Sequence, residues 1–322
     1  MHLTDNSLLP SHQEPLIITA VTDLRVGSVT EPTITGKDFW KDHIQLAADC
    51  LEAGASILHL TVQDPVTGRV TSQVAHWANF MARLRREVPG LLIQLDGAAR
   101  LEPRGAAQRA EWRGLDSRHM LTEIEPKPDF VTIEVYSSST GSASAIDDNE
   151  KFISNQLIRL RRNDIQPYFL LRGIQALGLL ERLVRSGRYM GPLNHCMIAA
   201  GGEHIGNNPL DWMEYLRRAP DGSTVAFQGS TPITPPLAAV TVAFGIHIRV
   251  SSPISATGAS GQTPLVEQVK HVVRIARELG RTVATRDDTR RIMKTGIWFD
   301  SVEETLFILG LLPNQRGRSP NT

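Results

Sequence analysis

Residues 15–21, PLIITAV, and residues 56–62, SILHLTV, are two continuous apolar runs of strand length, and they decide the fold class. Runs of this kind are typical of parallel strands that are buried on both faces. Between them, apolar residues recur at helical spacing from Trp40 to Leu51, and Gly54 ends the helix. The order strand, helix, strand predicts a parallel β-α-β unit.

The unit repeats along the chain. Further strands are predicted at residues 91–95, 130–136, 167–171, 196–200, 224–227 and 246–250, with helical patterns between most of them. An open, doubly wound sheet would alternate in the same way, but about eight strands fit one closed ring, which favours a (β/α)8 TIM barrel. The expected organisation is an N-terminal arm (1–14), a single barrel domain (15–285), and a C-terminal helical extension with a frayed tail (286–322).

The composition narrows the class of partner. The 322 residues carry 34 basic and 34 acidic side chains and a formal net charge of zero. A neutral chain has no long-range attraction to nucleic acid or anionic lipid, so a small molecule is the expected partner. The chain has two cysteines, no run of about 18 apolar residues and no secretory signal pattern at its start. A cytoplasmic protein without a membrane span is therefore predicted.

Polar residues at the predicted strand ends are the candidate site, because barrel enzymes react at the carboxyl ends of their strands. The candidate catalytic residues are Arg249, Glu134, Asp96 and Arg172. Of these, Arg249 is suited to bind a substrate carboxylate, because a guanidinium group can donate two hydrogen bonds to it. The candidate substrate-binding residues are Thr61, Thr132, Ser251 and Gln94, and the candidate metal ligand is His59. An ion-pair layer inside the barrel is the alternative interpretation for Asp96 and Arg172. Glu203 and His204 are interpreted as part of a solvated loop.

Several segments resemble one known family. The first part of the chain resembles the opening of the β-keto acid cleavage enzymes in residues 15–20 (PLIITA), 52–55 (EAGA) and 56–69 (SILHLTVQDPVTGR). The last part resembles the closing part of the same enzymes in residues 247–249 (HIR) and 275–281 (IARELGR). The resemblance implies a zinc-dependent barrel, a homotetramer, and a small anionic substrate. It also implies acetyl-CoA as co-substrate, since the family converts a β-keto acid and acetyl-CoA into a CoA thioester and acetoacetate.

The chain departs from the family at the implied zinc site. The family's motif is His-x-His, and here it is His59-Leu60-Thr61. Pro253 and Ile254 replace a ligand glutamate and its neighbouring aspartate, and Leu170 replaces a strand-five glutamate. Asp96 replaces a small hydroxyl residue, and Glu134 stands where asparagine is frequent in the family. One histidine and a threonine hold zinc poorly, because a catalytic zinc normally has three protein ligands.

Two hypotheses for the site follow. In the first, zinc or another divalent metal has moved to His59, Asp96 and Glu134. In the second, the metal is gone, and Asp96 and Glu134 move protons beside Arg172 and Arg249.

Three functions stay open. The leading one is an enzyme that cleaves or forms a carbon–carbon bond in a small β-keto acid, by acyl exchange with acetyl-CoA. The second is a metal-independent lyase, isomerase or hydrolase acting on a small carboxylate through Asp96, Glu134 and Arg249, since fold alone never fixes function. The third is a non-catalytic homologue that binds a small molecule.

Overall fold

The structure is a computed structural model of the 322-residue chain. It describes residues 14–22, 39–60, 74–96, 121–135, 143–171, 173–198, 209–229, 233–251 and 264–312. None of the helices in these ranges combines the length and the apolar character that a membrane span requires.

Eight parallel strands close into a ring in which each strand pairs with its neighbours in chain order, and β8 returns to β1. They are β1 Ile18–Thr22, β2 Ile57–Leu60, β3 Leu92–Leu95, β4 Phe130–Val135, β5 Gln166–Leu171, β6 Asn194–Ile198, β7 Thr224–Gln228 and β8 His247–Ser251. The predicted (β/α)8 barrel is confirmed. All eight predicted strands exist, with ends that differ by a few residues.

Nine α-helices occur in the described ranges, and most follow a strand and cover the outside of the barrel. They are α1 Phe39–Ala53, α2 Val74–Glu87, α3 Ala143–Arg162, α4 Gln175–Arg185, α5 Pro209–Arg218, α6 Pro235–Ala243, α7 Leu265–Glu278, α8 Arg286–Ile292 and α9 Val302–Ile308. The segment from residue 286 onward, for which a helical extension is predicted, contains α8 and α9. Thr285 begins α8 with a reciprocal capping box to Asp288, which satisfies backbone N–H groups at that helix end.

The apolar core has two layers. The larger layer lies between the strands and the helices, where Trp77, Leu84 and Val269 are fully buried or nearly so. The smaller layer fills the barrel interior and includes Ile57, Phe130 and other inward side chains of the strands. Alternate residues on a strand point to opposite faces, so each strand supplies both layers.

The chain after β8 closes the amino-terminal end of the barrel. Ile292 and Met293 join the interior layer, and the carbonyl oxygen of Met293 accepts a hydrogen bond of 3.0 Å from the side chain of Asn194. Asp129, just before β4, forms ion pairs with Arg85 at 2.7 Å and Arg290 at 3.2 Å. The carboxyl ends of the strands form the opposite face, where the candidate site residues lie.

Candidate active site

Arg249 is the centre of the candidate site. It is the third residue of β8, and its neighbours on the same face of that strand are His247 and Ser251. The side chain lies inside the barrel and is 1% exposed. Its guanidinium carbon lies 5.1 Å from the ring centroid of Tyr168, which is a favourable distance for a cation on an aromatic face. Burial raises the pKa of the Tyr168 hydroxyl, so this neighbour of Arg249 is uncharged.

Three uncharged acceptors hold the guanidinium group. Nε donates to Oε1 of Gln228 at 2.9 Å, and one terminal nitrogen donates to Oε1 of Gln94 at 2.8 Å. The other terminal nitrogen donates to Nδ1 of His59. These partners come from β7, β3 and β2, so closure of the barrel is what brings them to one point.

The bonding of Arg249 is incomplete. A guanidinium group has five N–H donors. Three of them donate in the hydrogen bonds above, and the hydroxyl of Tyr168 is a further, uncharged hydrogen-bond partner. No carboxylate in the described ranges forms an ion pair with it. Arg281, which is equally buried, differs because carbonyl oxygens and His247 receive five hydrogen bonds from its guanidinium. A guanidinium group with fewer acceptors than donors and no paired carboxylate in these ranges is suited to bind the carboxylate of a ligand.

The contact with Arg249 fixes the orientation of the His59 ring. Arginine only donates hydrogen bonds, so Nδ1 is the acceptor, and a neutral ring then carries its proton on Nε2. Nε2 faces Oδ1 of Asp96 at 3.9 Å. His59 therefore lies between a buried cation and a nearly buried carboxylate, since Asp96 is 8% exposed.

The other predicted polar residues divide into three groups. Gln94 and Thr132 are buried and joined by a hydrogen bond of 2.9 Å from the Gln94 amide to the threonine hydroxyl. Glu134 and Ser251 are half-buried, each at or near the carboxyl end of its strand. Thr61 and Arg172 lie outside the described residues, as do Pro253, Ile254, Glu203 and His204.

An apolar wall faces these polar groups inside the barrel. Tyr168, Leu170, Cys196 and Ile198 belong to the interior layer, on β5 and β6. Burial raises the pKa of the Cys196 thiol to about 12, although the nearby Arg249 acts in the opposite direction. Cys196 is thus a protonated apolar side chain at neutral pH, and the interior is polar on the β2–β4 side and apolar on the β5–β6 side.

Gln228 is a site residue that the sequence patterns did not reveal. The predicted seventh strand ends at Phe227, one residue short of the observed end of β7. Ala226 lies in the interior layer, so the alternation of a strand places Gln228 on the same inward face. One more residue of strand would have added it to the candidates.

The described residues do not fit the zinc site that the family resemblance implies. A metal-bound histidine offers a ring lone pair to the metal and donates its other N–H to an acceptor. At His59 the lone pair of Nδ1 faces the Arg249 cation, and Leu170 stands where the resemblance implies a glutamate. Within the described ranges, no group of three His, Cys, Asp or Glu side chains that could hold a metal ion is found. A metal held by His59, Asp96 and Glu134 stays a prediction.

Comparison with known proteins identifies the family. The family model described as beta-keto acid cleavage enzyme matches residues 40–294, which include β2 to β8 and most of the helices. The chain belongs to this family. The family membership predicted from the terminal motifs is therefore confirmed.

Two relatives of this β-keto acid cleavage enzyme family member carry the same name. A 3-keto-5-aminohexanoate cleavage enzyme of Acetoanaerobium sticklandii is 23% identical over 295 residues, which cover 87% of this chain and 98% of that protein. The enzyme of that name from Fusobacterium nucleatum subsp. nucleatum is 24% identical over 249 residues, which cover 77% of this chain and 86% of that protein.

Solved structures of other proteins share the fold. ObcA in a ternary complex with a C4-CoA adduct and oxalate has a TM-score of 0.56 and 15% identity, covering 79% of this chain and 66% of that chain. The chain thus spans about two thirds of the length of ObcA. The HMG-CoA lyase from Brucella melitensis has a TM-score of 0.50 and 15% identity, covering 87% of this chain and 97% of that chain. At these identities the likeness supports the barrel fold alone.

Proposed function

We propose that this protein cleaves the carbon–carbon bond of a small β-keto acid and transfers the acyl group to CoA, with acetyl-CoA as the second substrate. The single observation that carries the proposal is Arg249, a buried cation whose hydrogen-bond partners in the described part of the chain are all uncharged. A buried, uncompensated charge is costly, and an anionic substrate offsets that cost.

The substrate carboxylate binds Arg249 in this proposal. When the bond between the keto carbon and the methylene carbon breaks, the electron pair stays on the methylene carbon beside the carboxylate. The negative charge therefore develops next to the guanidinium group, in an interior where electrostatic stabilisation is strong. The acyl fragment leaves on the CoA sulfur, and the carboxymethyl fragment takes the acetyl group and becomes acetoacetate.

Asp96 and Glu134 are proposed to move protons. Asp96 lies 3.9 Å from Nε2 of His59, and Glu134 lies half-buried near the end of β4, on the polar side of the interior. Carboxylates within reach of a bound substrate serve as general bases or acids. Arg172, Thr61 and Ser251 are proposed to line the same site, because they follow or end strands whose carboxyl ends meet at one face of the barrel.

The relatives support this choice of reaction over the other two functions. Two proteins named for cleavage of a β-keto acid cover most of the chain. The metal-independent variant of the chemistry is favoured by one observation, the contact of Arg249 with Nδ1 of His59. A homotetramer and a cytoplasmic location stay predictions.

A panel of β-keto acids tests the proposal. Each acid is incubated with the purified protein and acetyl-CoA, and the CoA thioesters are separated by chromatography. At least one acid should yield its own acyl-CoA together with acetoacetate. Absence of a new thioester from every acid would contradict the proposed reaction. Elemental analysis of the same preparation should find less than one zinc per chain, and a full zinc equivalent would contradict the metal-independent variant.

A further inference from the structure

The acceptors around Arg249 share a property that the proposed function does not require. The two side chains at hydrogen-bond distance on β3 and β7 are amides, Gln94 and Gln228. Glutamate has the same shape and would have formed a stronger, charge-assisted bond to the guanidinium. At the other end of the barrel, Arg85 and Arg290 do pair with a carboxylate, that of Asp129.

The bonding of Arg249 differs from that of an arginine with a structural role in the same barrel. Arg281 is as buried as Arg249, and the five acceptor contacts of its guanidinium match its five donors. An arginine that only braces the fold is satisfied in this way. Arg249 is instead held by Gln94, Gln228, His59 and the Tyr168 hydroxyl, and none of the residues described here pairs a carboxylate with it.

We infer that Gln94 and Gln228 are positioning residues that orient Arg249 through uncharged acceptors and thereby reserve its charge for an anionic substrate. The amide of Gln94 is held in turn by the hydroxyl of Thr132 at 2.9 Å, which directs its oxygen at the arginine. The inference rests on the proposed function, in which Arg249 binds the substrate carboxylate. Beyond that function, the specificity of the site for an anion depends on Gln94 and Gln228, which need not touch the substrate.

The test uses the variants Gln94→Glu and Gln228→Glu, which change one atom and add one charge. The matched control is Gln268→Glu, a buried amide on α7 outside the barrel interior. Binding of acetoacetate and of its uncharged methyl ester is measured by calorimetry for all four proteins. The midpoint of thermal unfolding, Tm, is measured without any ligand.

Two results are expected together. Both site variants should bind acetoacetate at least about tenfold more weakly than wild type, because a neutralised guanidinium no longer attracts the anion. They should also unfold at a Tm about 2 °C or more above wild type, because the added carboxylate compensates a buried cation. Gln268→Glu should bind acetoacetate as wild type does.

The outcomes separate the inference from the proposed function. Wild-type protein that binds acetoacetate no better than the methyl ester contradicts the proposed function. A Tm at or below the wild-type value in both site variants overturns the inference whether or not acetoacetate binds, because Arg249 would then gain nothing from a counter-charge. Unchanged affinity for acetoacetate in both variants overturns it as well.

Discussion

Replacing Arg249 by lysine separates the charge of this residue from its shape. Lysine keeps the positive charge but has one nitrogen in place of three. Gln94 at 2.8 Å and Gln228 at 2.9 Å contact two different nitrogens of the guanidinium, which one ammonium nitrogen cannot replace, so at least one of these bonds should be lost. A substrate carboxylate would also receive one hydrogen bond in place of two.

The magnitude follows from the lost bond to substrate. A hydrogen bond to a charged group contributes about 1.5–3 kcal/mol, so Arg249→Lys should lower kcat/KM by about 10- to 150-fold. The assay is the formation of acyl-CoA from the best β-keto acid of the panel. Arg281→Lys is the matched control, since Arg281 holds backbone carbonyls at the closed end of the barrel.

The control should lose thermal stability and keep its kcat/KM at temperatures where it is folded. A value of kcat/KM for Arg249→Lys within threefold of wild type would refute the reasoning, because a paired-donor contact to the substrate would then contribute nothing.

Two further predictions concern stability. Asp129→Asn should lower the free energy of unfolding in urea by about 1–3 kcal/mol, because it breaks the ion pairs with Arg85 and Arg290 and weakens a contact to the β3 backbone. The affinity for acetoacetate should not change, because Asp129 lies at the end of the barrel opposite the site. A loss of affinity in this variant would contradict the separation of the two barrel ends. Burial lowers the pKa of His195 to about 3, so the folded protein keeps this ring neutral while the unfolded chain takes up a proton below about pH 6.5. Its contribution to stability is therefore lost as the pH falls, by about 2 kcal/mol between pH 7 and pH 5. The variant His195→Gln, which keeps an acceptor for Tyr215, should show a shallower decline over this range, and parallel pH profiles for variant and wild type would contradict the assignment.

The barrel was predictable because its strands are encoded locally. A parallel strand buried on both faces needs a continuous apolar run, and such runs are visible in PLIITAV and SILHLTV. β6 shows where the signal weakens. Its predicted start is Cys196, but the strand begins at Asn194, since this polar side chain bonds to the carbonyl of Met293 and is buried at the closed end.

The sequence predicts the strand positions of three candidate residues but not the contacts between them. His59, Gln94 and Arg249 stand out in the sequence as polar residues at inward positions of strands. Their contacts join residues 155 and 190 positions apart in the chain, and only the closed ring brings these together. Gln228 was missed because a single residue decides where a strand ends, and patterns locate strand ends least well.

The fate of the carboxymethyl carbons tests the central claim most directly. A β-keto acid accepted by the protein is labelled with ¹³C at its carboxyl and methylene carbons and incubated with unlabelled acetyl-CoA, and the products are followed by NMR. Acyl exchange predicts that both labels appear together in the carboxyl and methylene carbons of acetoacetate, while the acyl-CoA stays unlabelled. Labelled acetate would indicate hydrolysis and labelled carbon dioxide would indicate decarboxylation, and either result as the main product would contradict acyl exchange at the Arg249 site.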